Sequence, residues 1–341
     1  MISLSIDSSK GGNGDVWMRL VGFYAMATLL PEVEIRLKLS PVFHNLAPFV
    51  FGDRLKFESE LTKTDLYYTH LGIKDLMPQL LKGQRFISPY QRAVAQDRKR
   101  NSLKDRLNLK LFDLADFMGV IQLPHRDFIS KYQAYLDVIG IKKLRVIGYA
   151  DFIEQVERDL PEIMNKLKST KLPSSPELVL PDNLSKKVCV FPTGTGRQFV
   201  PVNWAKQYLP EAYYCFFHKD PDQEAYAQAG LKILPFYKEP GDIIKIAQTA
   251  HWAVSTDSFP SHLLQTATTR TTIALTVFKN GRTVSPAFRG KVIDSLAPCA
   301  PCIHLDKRNH PRCAAGFTEC LNWKNPVYTD ALLQSIPDLN L

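Results

Sequence analysis

Nowhere in its 341 residues does the chain run the roughly eighteen uninterrupted apolar residues of a membrane-spanning helix. Nor does its start show the charged stretch, apolar core and small-residue cleavage site of a secretory signal. The chain is therefore read as soluble and cytoplasmic. Cysteine is scarce: six in all, four of them crowded into residues 299–320, too few for a disulfide framework. No repeat recurs at a fixed period, which excludes solenoids and propellers, and no low-complexity tract is present. Acidic side chains fall short of basic ones, 34 against 43, for a net charge of +9. Such a surface attracts phosphate-rich polymers and anionic membrane faces, and says nothing about fold. Also missing are a G-x-G-x-x-G fingerprint and a Walker loop, so no specific phosphate cradle is read from glycine spacing.

With 45% hydrophobic residues, the chain has material for two domains, each with its own core. The composition breaks at "KSTKLPSSPELVLPDNLSKK" (168–187), which holds three prolines and four serines and suits an extended connector. The expected division is an N-terminal domain over 1–170, a linker over 171–187 and a C-terminal domain over 188–341. Before the break, apolar runs such as "VEIRLKL" and "MGVIQL" alternate with amphipathic segments. After it, "KVCVFPTG", "NWAKQYL", "AYYCFFHK", "EAYAQAG", "LKILPF", "GDIIKIAQTA", "HWAVSTD", "SHLLQTATT" and "TIALTV" alternate strand and helix character. That alternation predicts parallel strands with crossover helices: two Rossmann-like, doubly wound sheets facing a cleft, with ligands at the carboxyl ends of the strands.

Three polar loops follow strands in this scheme. The first, "SSKGGNGD", brings Gly11, Gly12, Asn13 and Gly14 up to Asp15 at the mouth of an apolar helix, where glycines permit close approach and a helix N-terminus offers unpaired amides. Asp15 there either complements the helix dipole or serves as a general base toward an acceptor hydroxyl. The second, "FPTGTGRQFVP", offers the hydroxyls of Thr193 and Thr195, the backbone of Gly194 and Gly196, and a guanidinium, Arg197, able to fork onto a diphosphate; equally, it reads as an ordinary glycine turn. In the third, "VSTDSFPSHLLQTATT", Asp257, Ser258, Ser261 and His262 gather at a helix entry. Asp257 or Ser258 reads also as a cap, and His262 as a core histidine.

Taken in order, these loops resemble glycosyltransferase family 9, the group of the ADP-heptose:lipopolysaccharide heptosyltransferases. "GGNGDVWMRL", "GTGRQFVPVNW", "IIKIAQTAHWAVSTDSFPSHLLQTATT" and the cysteine-rich "CAPCIHLDKRNHPRCAAGFTECL" carry the resemblance, which spans most of the chain. It implies a GT-B fold and an inverting, metal-independent transfer from a nucleotide-diphosphate sugar to a hydroxyl of a lipopolysaccharide-like or other cell-envelope glycan. By the same resemblance Asp15 is the general base; Gly12, Asn13 and Gly14 lie on the acceptor side. Thr193, Gly194, Thr195, Gly196, Arg197, Asp257, Ser258, Ser261 and His262 then hold the donor. Two departures stand out: Arg197 replaces the usual lysine, and Phe259 replaces a glycine after Asp257-Ser258.

Cys299, Cys302, Cys313 and Cys320, spaced C-x2-C-x10-C-x6-C with His304 and His310 between them, fit a tetrahedral structural zinc; four unliganded thiols is the alternative. Residues 82–110 carry nine lysines and arginines, among them Arg92, Arg98, Lys99 and Arg100, against Asp97 and Asp105. Such a run is either a solvated face or a contact for a polyanionic acceptor at the membrane surface. With Phe86 and Tyr90 interleaved it also suits nucleic acid, which leaves a phage-type DNA glycosyltransferase acting on flipped, hydroxymethylated bases as an alternative. A non-catalytic binding module that keeps the GT-B shell is a third reading, argued from Phe259.

Overall fold

The computed structural model describes residues 2–9, 13–29, 31, 33–60, 66–69, 86–87, 121–122, 165–166, 169, 174–194, 199–217, 220–234, 237–276, 284, 288–297 and 321–338. The chain divides into two compact units, Met1–Ile163 and Met164–Leu341. In the first, β1 (Ile2–Ser8) leads to α1 (Asn13–Leu29), β2 (Val33–Leu39), α2 (Leu46–Phe51), β3 (Leu55–Phe57), β4 (Leu66–Thr69), β5 (Phe86–Ile87) and β6 (Ile121–Gln122). These strands form one parallel sheet in the order β3-β2-β1-β4-β5-β6. Helix α1 forms because Val16, Trp17, Leu20, Phe23, Tyr24 and Ala27 recur at helical spacing, and all six are buried. Trp17 packs 6.4 Å from Phe43 and 5.6 Å from Phe51, and the Tyr24 hydroxyl donates to Asp53 Oδ2 at 3.0 Å, tying the helix to the turn after α2.

The second unit runs β7 (Val188–Phe191), α3 (Val202–Tyr208), β8 (Tyr213–Tyr214), α4 (Gln223–Gln228), β9 (Lys232–Ile233), α5 (Pro240–Thr249), β10 (Trp252–Thr256), α6 (Phe259–Ala267), β11 (Thr271–Ala274), β12 (Lys291–Ile293) and α7 (Pro326–Gln334). Its sheet is again wholly parallel, in the order β12-β11-β10-β7-β8-β9. Counted from each unit's own first strand, both orders are 3-2-1-4-5-6, the doubly wound order in which the winding direction reverses between strands 1 and 4. β7 and β11 are buried along their whole length, as a sheet covered on both faces requires, and this is why they read as unbroken apolar or β-branched runs.

Local chemistry fixes the element ends. Gly230 takes φ 79° after α4, with its own amide on Ala227 O and the Leu231 amide on Tyr226 O. That paired arrangement is the left-handed cap that glycine adopts without steric cost. At the other end of the unit α7 closes the core: Trp204 Nε1 donates to Thr329 Oγ1 at 2.8 Å, Trp204 and Trp323 meet edge to face at 4.8 Å, and Tyr328 donates to Leu275 O at 2.9 Å.

Residues 174–187, within the stretch expected to be a connector, are held onto the second unit. Asp242, fully buried near the start of α5, accepts from Ser175 N and Ser175 Oγ at 2.6 Å each, and from Lys238 N and Glu239 N at 3.0 Å each. Leu178 and Leu184 are buried beside this anchor's segment, and Lys238 pairs with Glu177.

Candidate functional site at the carboxyl edge of the second sheet

Because β7 and β10 are neighbours in parallel, with Phe191 opposite Ser255, the loops leaving their carboxyl ends start side by side. One is the Thr193–Gly194 loop and the other is the Asp257–Ser258 turn. This is the winding reversal of the sheet, where a crevice opens because the two flanking crossovers go to opposite faces. In the first unit the reversal lies between β1 and β4, Asp7 opposite Thr69, and the loop that leaves β1 there is the one leading to Asn13, Gly14 and Asp15. All three polar loops singled out by sequence therefore stand at winding reversals, a relation that pairing between distant strands creates.

The β7 loop is closed at its base by the Val200 amide donating to Pro192 O at 2.8 Å. Above that closure Thr193 Oγ1 donates to Asp220 Oδ2 at 2.7 Å, while Asp220 Oδ1 accepts the Asp222 amide at 3.0 Å. Asp220 follows β8, the strand next to β7. An acidic side chain after the second strand of a nucleotide-binding half is placed for ribose hydroxyls. Sequence reading missed it, since "HKDPDQE" looks like a plain turn; the available signal was an acidic residue about twenty-five positions beyond the glycine loop, past the next strand.

At the β10 turn, Ser258 caps α6. Its amide donates to Ser261 Oγ at 3.2 Å, its hydroxyl donates to Thr256 O at 3.2 Å, and Ser261 Oγ donates back to Ser258 O at 2.8 Å. Pro260, next but one, has no amide to offer. The α6 terminus thus directs much of its donor capacity inward, and an anion bound here draws correspondingly more on side chains. Asp257 is 4% exposed, and His262 Nε2 lies 3.7 Å from its Oδ1, too far for a hydrogen bond but within charge-pairing range of a protonated ring. His262 Nδ1 is buried without a hydrogen-bond partner. Buried polar atoms are rarely left so, and an orphan at a crevice is a group that a ligand or water satisfies.

Of the residues expected to hold the donor, Thr193, Gly194, Asp257, Ser258, Ser261 and His262 are thus gathered at one edge, with Ser261 committed to capping and wholly buried. Thr195, Gly196 and Arg197 lie outside the described residues. So do Gly12, Arg92, Arg98, Lys99, Arg100 and all four clustered cysteines, Cys299, Cys302, Cys313 and Cys320. Asn13 is half-buried, Gly14 is buried, and Asp15 occupies the first turn of α1 with its side chain outside the described set. Among the described residues no group of three or more His, Cys, Asp or Glu is placed to hold a metal ion, and no helix is long and apolar enough to cross a membrane.

No protein-family model matches the sequence, and neither does any curated protein. Solved structures do. The E. coli heptosyltransferase WaaC with ADP aligns over 90% of this chain and 97% of its own, at 11% identity and a TM-score of 0.52. The same enzyme with ADP-2-deoxy-2-fluoro heptose aligns over 90% and 96%, at 12% identity and a TM-score of 0.51. The fold is that of a GT-B heptosyltransferase. The expected pair of doubly wound parallel sheets is what the chain adopts. At 11–12% identity the likeness concerns the backbone arrangement, and the chemistry has to be argued from this chain's own residues.

Proposed function

We propose that the protein is a glycosyltransferase that moves a sugar from a nucleotide-diphosphate donor to a hydroxyl of a lipopolysaccharide-like or other cell-envelope glycan. The observation that supports this reading best is the convergence, at the reversal of the second sheet, of the Thr193–Asp220 pair and the Asp257–His262 pair within a heptosyltransferase fold. Asp220 is suited to the ribose, and the β7 loop with Arg197 and His262 to the diphosphate. Solved neighbours of this fold carry ADP and an ADP-sugar analogue, which agrees with that assignment.

In the proposed reaction Asp15 takes the proton of the acceptor hydroxyl as its oxygen bonds to the anomeric carbon. The bond from that carbon to the diphosphate oxygen breaks on the opposite side, so the configuration inverts, and the electron pair leaves with the nucleoside diphosphate. Charge building on the leaving group is met by Arg197, by His262 when protonated, and by the backbone of the β7 loop; fixed donors of this kind do the work without a metal ion. The basic run over 82–110 suits a phosphorylated acceptor and peripheral contact with an anionic membrane face. For Cys299, Cys302, Cys313 and Cys320 we propose a structural zinc, checked by metal analysis of the purified protein, where less than about half an equivalent per chain contradicts it.

The deciding experiment compares wild type with Asp15→Asn in a transfer assay that reads nucleoside diphosphate release in the presence of acceptor. Loss of a positioned base costs on the order of 10²–10⁴ in kcat while donor affinity holds. Unchanged turnover removes Asp15 from the role.

A further inference from the structure

Beside the candidate ribose carboxylate, three aromatic rings stand on three adjacent strands at the same carboxyl edge. Phe191 ends β7; Phe217 lies just past β8 and Tyr237 just past β9, where the two are paired by a parallel bridge. The Tyr237 ring centroid is 6.1 Å from that of Phe191 and 5.4 Å from that of Phe217. Phe191 and Tyr237 are buried, as is Phe216; Phe217 is only half-buried. So Phe217, packed against the buried ring of Tyr237, keeps part of its surface in water.

Its place in the chain gives that surface a meaning. The Asp220 amide donates to Phe217 O at 3.0 Å, closing a tight turn that carries the ring at one end and the Asp220 carboxylate at the other. That carboxylate in turn holds Thr193 of the β7 loop. The Tyr237 hydroxyl feels the same carboxylate: burial first, then the charges of Cys215 and Asp220, raise its pKa well above the ordinary phenol value. Ring and carboxylate therefore stand at the two ends of one turn after β8, and the carboxylate reaches the glycine loop after β7: a succession that suits base, ribose and phosphate.

We propose that Phe217 is the stacking platform for the base of the donor nucleotide. The inference rests on the donor reading above and extends it to a specificity-determining residue. The ligand class is a nucleoside diphosphate whose base is recognised through its π-face, with Tyr237 as the backing that fixes the platform's orientation. A single half-exposed phenylalanine on a protein surface is unremarkable in itself. One that is braced by a buried aromatic and lies a single turn from a carboxylate holding the loop at the sheet's winding reversal has the geometry of a base site.

The test is calorimetric titration of the full-length protein with ADP and with ribose 5-diphosphate, which is the same ligand without a base. Base–aromatic stacking is worth about 1–3 kcal/mol by alanine substitution, so Phe217→Ala is expected to weaken ADP by roughly tenfold or more. Ribose 5-diphosphate is expected to bind that variant as it binds wild type, and Phe217→Tyr to keep wild-type affinity for both. Equal losses for the two ligands, or no loss for either, overturn the platform. If wild type holds ribose 5-diphosphate as tightly as ADP, the donor reading stands and the platform falls. If wild type binds neither, both fall together.

Discussion

Replacing Asp242 isolates what anchors residues 174–187 to the second unit. Its fully buried carboxylate takes four donors: the Ser175 amide and hydroxyl at 2.6 Å, and the amides of Lys238 and Glu239 at 3.0 Å. Hydrogen bonds to a charged partner are worth about 1.5–3 kcal/mol each, but the donors are only part-buried, so water recovers some of that loss. Asp242→Ala leaves four neutral, part-buried donors without their acceptor, at an expected net cost of about 3–5 kcal/mol once solvent recovery is allowed for. Asp242→Asn retains one oxygen yet turns an NH2 toward donors, at about 2–3 kcal/mol. Urea unfolding followed by tryptophan fluorescence reads this directly, because Trp204, Trp252 and Trp323 lie in the second unit and only Trp17 in the first. A shift of less than about 0.5 kcal/mol for either variant would refute the anchor, since that is what an ordinary surface substitution gives.

Other outcomes are expected on the same footing. Thr193→Val removes the bond to Asp220 while keeping the side-chain shape; ADP affinity should fall by about three- to tenfold with little change in the urea midpoint, the size of one hydrogen bond lost. Trp204→Phe strips the indole donor from Thr329 and shrinks a ring packed on Trp323, for about 2 kcal/mol in the same unfolding assay. Gly230→Ala forces a Cβ into φ 79° and should cost about 1 kcal/mol, although nothing lies within 4 Å of the added atom. Glu34 has its carboxyl held below the ordinary 4.5 by hydrogen bonds from Lys56 and then Arg36. A lowered carboxylate contributes stability that is present above 4.5 and is lost as the pH falls below it. Glu34→Gln should therefore flatten part of the acid limb of a stability–pH curve and leave its shape above pH 5 unchanged.

The alternating runs after residue 187 were readable as strands and helices because each element buries one consistent face: the apolar stripe of α5 and the buried run of β10 announce themselves locally. The three glycine- and hydroxyl-rich loops were readable for the same reason, as breaks after strands. What sequence did not contain was adjacency. That β10 lies against β7 is a pairing across more than sixty residues, and only this pairing makes the loops that carry Asp257 and Thr193 leave adjacent strand ends. Asp220 went unnoticed because a carboxylate in "KDPDQE" is indistinguishable from a solvated turn until its bond to Thr193 is seen. Likewise proline and serine in "LPSSPEL" suggested an extended connector, and the residue that holds it, Asp242, is 67 positions away from Ser175. Local pattern predicts elements; long-range hydrogen bonds and strand order make the site.

Hydrogen–deuterium exchange with and without saturating ADP maps where a nucleotide binds without presuming which residue matters. Slowed exchange is expected in the β7 loop (192–200) and the β10–α6 turn (254–262), which flank the reversal of the second sheet, and in the turn after β8 (217–222) next to them. Protection that falls elsewhere in the chain, with these three segments exchanging as they do in the free protein, would contradict the account.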